Sequence, residues 1–140
     1  MQQKIVGKMN SETLVYKIIS NQDFRFPSQL RLIRAADYKR VFVNPVRTTD
    51  KFFTVLAVNN HLQHPRLGLA IAKKQIARAV ARNRIKRTIR ESFRLRRHQL
   101  NSLDIVVLAR RDAGKAAQEL LRSSLERHWQ KLADRCGIYS

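Results

Sequence analysis

The chain has 140 residues, which is long enough for one compact domain and too short for two ordinary ones. It carries 29 Lys and Arg against 10 Asp and Glu, a formal net charge of +19, and self-repulsion of that size indicates a polyanionic partner. Because 44% of the residues are hydrophobic, the composition excludes a purely disordered basic tail. Nucleic acid, an anionic membrane surface and an acidic protein stay open as partners.

Cysteine usage and hydropathy predict a cytoplasmic protein. The one cysteine, Cys136, excludes an intramolecular disulfide and cannot hold a structural zinc by itself. No apolar run approaches the length of a membrane span, and the N-terminus lacks the apolar core of a signal peptide. We therefore expect neither membrane insertion nor export.

The pattern along the chain predicts an N-terminal extension at residues 1–23 and a single domain at residues 24–140. The extension has apolar residues at helical spacing, in a segment too short to form a stable helix alone. The segment RLIRAADYKRVF, residues 31–42, predicts a first helix that ends before Asn44 and Pro45. We expect one face of this helix to carry Ile33, Ala36, Tyr38, Val41 and Phe42.

Two strands are predicted next, at residues 51–58 (KFFTVLAV) and 66–72 (RLGLAIA), from their apolar residues and their alternation. The second strand has one bulky face and one nearly bare face, which is formed by Gly68, Ala70 and Ala72. A bare face permits close packing of a helix or the approach of a ligand backbone, and the sequence leaves both open. DIVVLAR, residues 104–110, predicts a strand covered on both faces, and residues 115–135 predict an amphipathic helix.

The most unusual segment is ARAVARNRIKRTIRESFRLRR, residues 77–97, which holds eight Arg and one Lys against one acid, Glu91. At helical spacing, small and apolar residues form a seam that we expect to be buried, with the basic residues on the opposite side. The seam consists of Ala77, Ala81, Ile85, Ile89 and Phe93, with Thr88 and Ser92 beside it. A stripe dominated by Arg favours phosphate contacts, because guanidinium groups bind phosphates in a bidentate manner and can stack on bases.

Two other interpretations of the basic stripe are weaker. A merely solvated helix face would mix both charge signs, because like charges at this spacing repel. A membrane-surface helix would mass Trp, Phe or Leu on its apolar face, whereas this seam is mostly Ala, Ile and small polar residues.

No catalytic or metal-binding constellation is recognisable in the sequence. The ten acids include no paired-carboxylate pattern, and His61 and His64 are expected to be solvated in a turn. Cys136 has no Cys/His signature around it, and no glycine-rich loop is present to hold phosphates. If the protein belongs to an enzyme, we expect another component to perform the chemistry.

The chain resembles the protein subunit of bacterial ribonuclease P from about Phe26 to its end. The most specific match is Arg82-Asn83-Arg84 followed by Lys86-Arg87, Arg90, Glu91 and Phe93. HPRLGLAIAKK before this helix, DIVVLAR after it and the DYKRVF segment support the match.

The resemblance implies an α+β fold, a small α/β sandwich in which a four-stranded sheet packs against helices. It also implies a left-handed β-α-β crossover that carries the helix with the Arg-Asn-Arg motif. Proteins of this family join a large catalytic RNA that removes the 5′ leader from precursor tRNA. The implied partners are therefore this RNA and precursor tRNA, with one protein per RNA, and Mg²⁺ is required through the RNA and not through the protein.

The resemblance further implies which residues contact RNA. Those expected to face the catalytic RNA are Lys73, Lys74, Arg82, Asn83, Arg84, Lys86, Arg87 and Arg90. Those expected to line a cleft for the single-stranded leader are Tyr38, Phe42 and Phe53, where aromatic stacking would tolerate any base. Without the resemblance, Tyr38 and Phe42 at this spacing would more often belong to the core.

Two other functions stay open at this point. A structural RNA-binding protein of the ribosomal type would use the same stripe without serving any reaction, and composition does not separate the two. A non-specific DNA-binding protein is the third alternative, which competition with duplex DNA would test.

Overall fold

The computed structural model describes residues 28–136 of the chain. Within that range the helices are α1 (Ala35–Phe42), α2 (Ala79–Arg96) and α3 (Gln118–Cys136). The strands are β1 (Val46–Thr49), β2 (Phe53–Asn59), β3 (Arg66–Ala70) and β4 (Leu103–Ala109). Short 3-10 turns lie at Ser28–Leu30, Arg97–Leu100 and Arg111–Lys115. The predicted extension at residues 1–23 lies outside the described residues.

The four strands form one sheet in the order β1-β2-β4-β3. β2 pairs antiparallel with β1 and β4, whereas β3 runs parallel to β4, with Ala70 opposite Leu108. α2 connects the two parallel strands and completes a β-α-β unit. The predicted α+β class with a four-stranded sheet is confirmed. The prediction missed β1, because four residues with two threonines carry little apolar periodicity.

Helices cover both faces of the sheet, because alternate side chains of each strand point to opposite sides. One face carries Phe53, Val55, Leu67, Ile105 and Val107, and it packs against the apolar sides of α2 and α3. The other face packs against α1. Its core residues are Leu32, Tyr38, Val41, Leu56, Ala70, Val106 and Leu108. Every residue of β4 is buried, as the unbroken apolar run predicts.

Helix boundaries differ from the predicted ones by a few residues. α1 ends at Phe42 as expected, and Asn44 turns the chain with a positive φ of 52°. α2 begins two residues later than predicted, which leaves Ala77 exposed in the preceding loop. Ile33 and Ala36, which were expected on one face of the first helix with Tyr38, are also exposed, Ile33 before α1 and Ala36 in its first turn.

The bare face of β3 serves close helix packing. A Cβ on Gly68 would lie 2.4 Å from Cε1 of Tyr38 and 2.8 Å from its hydroxyl oxygen. Because Tyr38 is fully buried, its ring cannot swing away without disturbing the α1 side of the core. Gly68 is therefore required for α1 to approach the sheet.

A buried carboxylate also attaches α1 to the sheet. Asp104 on β4 is fully buried and accepts hydrogen bonds from Arg40 Nη2 on α1 (2.7 Å), from Arg66 Nε (2.8 Å) and from Arg66 Nη2 (2.7 Å). Asn60 Nδ2 donates a further bond of 2.9 Å. The hydrogen bond with Asp104 raises the pKa of Arg66 against the opposing effect of burial. The carboxylate is thus fully paired, as a buried charge requires.

A second carboxylate joins the β1–β2 hairpin to α3. Asp50 Oδ1 accepts hydrogen bonds from the N–H groups of Phe52 (2.9 Å) and Phe53 (3.0 Å), and Oδ2 accepts one from the Ser124 hydroxyl (2.5 Å). His128 Nε2 lies 3.2 Å from the same Oδ2. Burial alone would raise the pKa of Asp50, but the contact with His128 and these hydrogen bonds outweigh it and hold the pKa well below its usual range.

We expect Gly68→Ala to lower the free energy of unfolding by about 1–3 kcal/mol, because the added methyl group overlaps the buried Tyr38 ring. Gly114→Ala is the matched control, since its Cβ would meet Ile76 at an ordinary 3.6 Å. Urea unfolding of both variants measures the difference. Equal midpoints would contradict a close packing at Gly68.

The low pKa of Asp50 predicts a loss of stability in acid. Because folding lowers this pKa, Asp50 contributes stability above its unfolded value, near 3.9, and the contribution is lost as the pH falls below that value. Asp50→Asn should therefore be less stable than the parent at pH 7, by roughly 1–2 kcal/mol, and the difference should shrink in acid. Urea unfolding at pH 7 and in acid measures the difference in stability. Asp112→Asn on an exposed turn is the control. A difference that does not depend on pH would contradict the assignment.

Candidate nucleic-acid interface

The solvent-facing side of α2 is strongly basic. Asn83, Arg87 and Arg94 are exposed along it, and Lys86 and Arg90 are half-buried at its flank. The opposite side holds the buried Ile85, Thr88, Ile89, Ser92 and Phe93. The first turn of α2 has no acid, so the positive end of the helix dipole adds to the field of the side chains. The predicted separation into a buried seam and a basic stripe is confirmed, except at Ala77.

The two arginines of the Arg-Asn-Arg motif bind the protein's own backbone. Arg82 Nη1 donates to the carbonyl oxygens of Ile76 (3.0 Å) and Ala77 (2.7 Å), in the loop before α2. Arg84 reaches the segment before α3, where Nη2 donates to Gly114 O (3.2 Å) and Nη1 lies 3.4 Å from Ala116 O. Arg82 thus fixes the loop before α2, and Arg84 attaches α2 to the segment before α3.

Arg84 also belongs to a closed set of hydrogen bonds between α2 and α3. Its Nη1 lies 3.3 Å from Gln118 Oε1, and Gln118 Nε2 donates to the Thr88 hydroxyl (2.7 Å). Thr88 in turn donates to the backbone carbonyl of Arg84 (2.9 Å). This set of bonds fixes the position of the basic face relative to α3.

Lys73 and Lys74 are exposed in the loop that follows β3. Because β3 and β4 are parallel, the residues after β4 lie at the same end of the sheet, and Arg111 and Lys115 are exposed there. No local pattern in the sequence predicts these two cations as neighbours of Lys73 and Lys74. Their position follows only from the parallel pairing of two strands that are distant in sequence.

The three residues predicted for the leader cleft are not brought together. Phe53 points to the α2–α3 side of the sheet and is fully buried, whereas Tyr38 and Phe42 belong to the α1 side. Strand alternation causes this separation, so the predicted position of Phe53 in the cleft is wrong. Tyr38 is fully buried against Gly68, which corrects its predicted exposure for stacking. Phe42 is half-buried and keeps part of its ring accessible.

Among residues 28–136 there is no group of three or more His, Cys, Asp or Glu that could hold a metal ion. Burial raises the pKa of the Cys136 thiol despite the nearby Arg135, which is the opposite of what an activated nucleophile needs. In the same range, no helix combines the length and the apolar character needed to cross a membrane.

The sheet, the buried seam and the outward basic stripe define a small α+β protein built to bind a polyanion. The family model for ribonuclease P matches residues 26–133. The chain belongs to the ribonuclease P protein family, as its resemblance predicts. It is thereby an RNA-binding protein of tRNA processing, a component of a ribonucleoprotein nuclease whose RNA is its partner.

Individual relatives of the chain are also ribonuclease P proteins. The ribonuclease P protein component of Methylococcus capsulatus is 48% identical over 119 residues, which cover 85% of this chain and 93% of the relative. The corresponding protein of Pseudoalteromonas translucida is 42% identical over 115 residues, 82% of each chain. A solved structure of a Staphylococcus aureus RNase P protein mutant with defective mRNA degradation activity has a TM-score of 0.69 and 34% identity, covering 76% of this chain and 90% of that one. The RNase P protein from Thermotoga maritima has a TM-score of 0.65 at 26% identity, covering 72% and 96%.

Arg84 and Arg87 should respond differently to truncation. We expect Arg84→Ala to lower the free energy of unfolding by about 1–3 kcal/mol, because it leaves the carbonyl of Gly114 and the Gln118 side chain without their donor. Arg87→Ala should change stability by less than about 0.5 kcal/mol, since its side chain is exposed.

The salt dependence of RNA binding should show the reverse order, with the larger effect for Arg87→Ala. Arg87→Ala should reduce the slope of log Kobs against log[salt] by about one, as expected when one phosphate contact is lost. Urea unfolding measures the stability of both variants, and a salt titration of RNA binding measures their slopes. A stable Arg84→Ala protein with a reduced slope would assign Arg84 to RNA contact.

Proposed function

We propose that the chain binds the catalytic RNA of ribonuclease P and the 5′ leader of precursor tRNA, and so assists endonucleolytic removal of the leader. The observation that carries the proposal is the outward basic face of α2, held by a buried seam in a chain of this family. One protein per RNA and a requirement for Mg²⁺ held by the RNA belong to the same proposal.

The α2 face suits an RNA backbone because its cations are arranged in a row on a rigid element. Arg87 and Arg94 are two turns apart on the exposed side, and Lys86 and Arg90 extend the row along one flank. Each phosphate that such a row neutralises releases condensed counterions, which makes binding strong at low salt and weak at high salt. RNA phosphates would also relieve the mutual repulsion of these cations in the free protein.

The proposed division of labour assigns the chemistry to the RNA. The described residues include no group of three or more His, Cys, Asp or Glu that could hold a metal ion, and burial raises the pKa of the Cys136 thiol, whereas the chain presents a large positive surface. The protein would contribute affinity for the substrate and partial neutralisation of phosphates around metal ions held by the RNA.

Phe42 is the residue through which we propose leader contact. Its half-buried ring ends α1, next to Val43, which is 71% exposed. A partly exposed aromatic ring on a fixed helix can stack on an unpaired base without regard to sequence. Tyr38 would support this site from the core, because its ring packs against Gly68 and holds α1 to the sheet.

Reconstitution with a bacterial ribonuclease P RNA tests the function. At low Mg²⁺ and moderate salt, adding the chain should increase the rate of precursor-tRNA cleavage. Binding of the RNA without any increase in cleavage would overturn the proposal and favour a structural RNA-binding protein of the ribosomal type. Competition by duplex DNA as strong as by RNA would favour a non-specific DNA-binding protein.

Substitution of Phe42 tests the leader contact. Phe42→Ala in the reconstituted holoenzyme should weaken binding of precursor tRNA by roughly 1–3 kcal/mol and leave binding of mature tRNA unchanged. Leu120→Ala is the control, because Leu120 is an exposed apolar side chain of α3, on the opposite face of the sheet. Equal losses for precursor and mature tRNA would return Phe42 to a structural role.

A further inference from the structure

We propose that the protein has a second surface for the backbone of the catalytic RNA, on the side of α3 that faces β1. This α3–β1 surface consists of Lys51, Arg127, Lys131 and Arg135. It is separate from the α2 face, because α3 packs against α2 on one side and against β1 on the other. β1 and β3 form opposite edges of the sheet, so the loop with Lys73 and Lys74 follows the far edge strand.

The cations of α3 form a row that runs along β1. Arg127, Lys131 and Arg135 are spaced four residues apart, which places them on one side of the helix at intervals of about 6 Å. Arg127 Nη2 lies 3.9 Å from Asp50 Oδ2 after the end of β1, and Arg135 Nη1 donates to the Arg47 carbonyl (2.5 Å) near its start. The row therefore spans the length of the edge strand.

Lys51 extends the row beyond the end of β1. It is exposed in the hairpin, with its Nζ 5.8 Å from the centre of the Phe52 ring. The side chain of Arg47 is not part of this surface, because Arg47 pairs with Leu56 and so points to the α1 face of the sheet. Only tertiary packing brings the hairpin beside α3.

The carboxylates near this surface neutralise little of its charge. Asp50 is directed inward, where three protein hydrogen bonds occupy its oxygens. Glu126 pairs with Arg96 of α2 on the other flank of α3. Asp134 accepts a hydrogen bond from Gln130 and is exposed beside the row. Four cations thus face two carboxylates, of which one is internally bound.

An RNA backbone fits the surface better than a membrane does. Two of the four cations are Arg, whose planar guanidinium groups match phosphate oxygens in pairs. Membrane binding would need massed apolar side chains, whereas Leu120 is the one large apolar residue exposed on α3. Basic surfaces on both sides of the α2–α3 pair would let one protein contact two segments of the catalytic RNA, which is the partner that family membership supports.

Neutral substitutions at exposed positions test the proposal in the full chain. Arg127→Gln and Lys131→Gln should each reduce the salt slope of RNA binding by about 0.7–0.9, and the double variant should reduce it by roughly twice as much. Ser123→Ala on the solvent side of α3 is the control, because it changes no charge, and it should leave the slope unchanged. Urea midpoints close to that of the parent establish that the variants fold.

Two binding assays test which RNA occupies the surface. The expected result is a reduced slope with ribonuclease P RNA alone. A reduced slope only for precursor tRNA binding to the holoenzyme, or slopes equal to that of Ser123→Ala in both assays, would overturn the proposal. Arg87→Ala in parallel separates this result from the proposed function, because its slope should fall even if the α3–β1 surface binds nothing.

Discussion

Burial of the apolar seam of α2 is the constraint on which the rest of the structure depends. A helix with this many like charges repels itself and gains little stability from its own sequence. Ile85, Ile89 and Phe93 anchor it to the core, where the Phe93 ring meets Trp129 of α3 edge-on at 6.1 Å. Trp129 Nε1 also donates to the Ser92 hydroxyl (2.8 Å), which satisfies two polar groups inside the interface. The seam thus holds the cations in a fixed row toward solvent.

The Arg-Asn-Arg motif shows that one short segment serves structure and binding together. Arg82 and Arg84 donate to backbone carbonyls of neighbouring loops, while Asn83 and Arg87 face solvent. Guanidinium suits the first task because it offers several donors in a fixed plane and can satisfy two carbonyls at once. The motif therefore positions the surface as well as contributing to it. Arg82 holds the loop before α2, and Arg84 holds the segment before α3.

Alternation along the strands decided which predicted residues could act together. Phe53 and Leu56 are three residues apart on β2 and so lie on opposite faces of the sheet. α1 covers the face of Leu56, and Gly68 lets Tyr38 sink into it. A cleft that combines Phe53 with Tyr38 and Phe42 cannot form in this sheet. The periodicity of KFFTVLAV contained this information, but only the position of α1 showed which face its aromatic residues meet.

The sequence by itself determined the α+β class, the buried seam and basic stripe of α2, and the family, because these rest on local periodicity and on a motif of fixed spacing. Only the tertiary structure decided the order β1-β2-β4-β3, the inward direction of Arg82 and Arg84, and the burial of Tyr38. It also brought the backbone carbonyl of Arg47 on β1 beside the Arg135 side chain of α3. These features depend on contacts between segments far apart in the chain, and local pattern carries no signal for which distant backbone a side chain will meet.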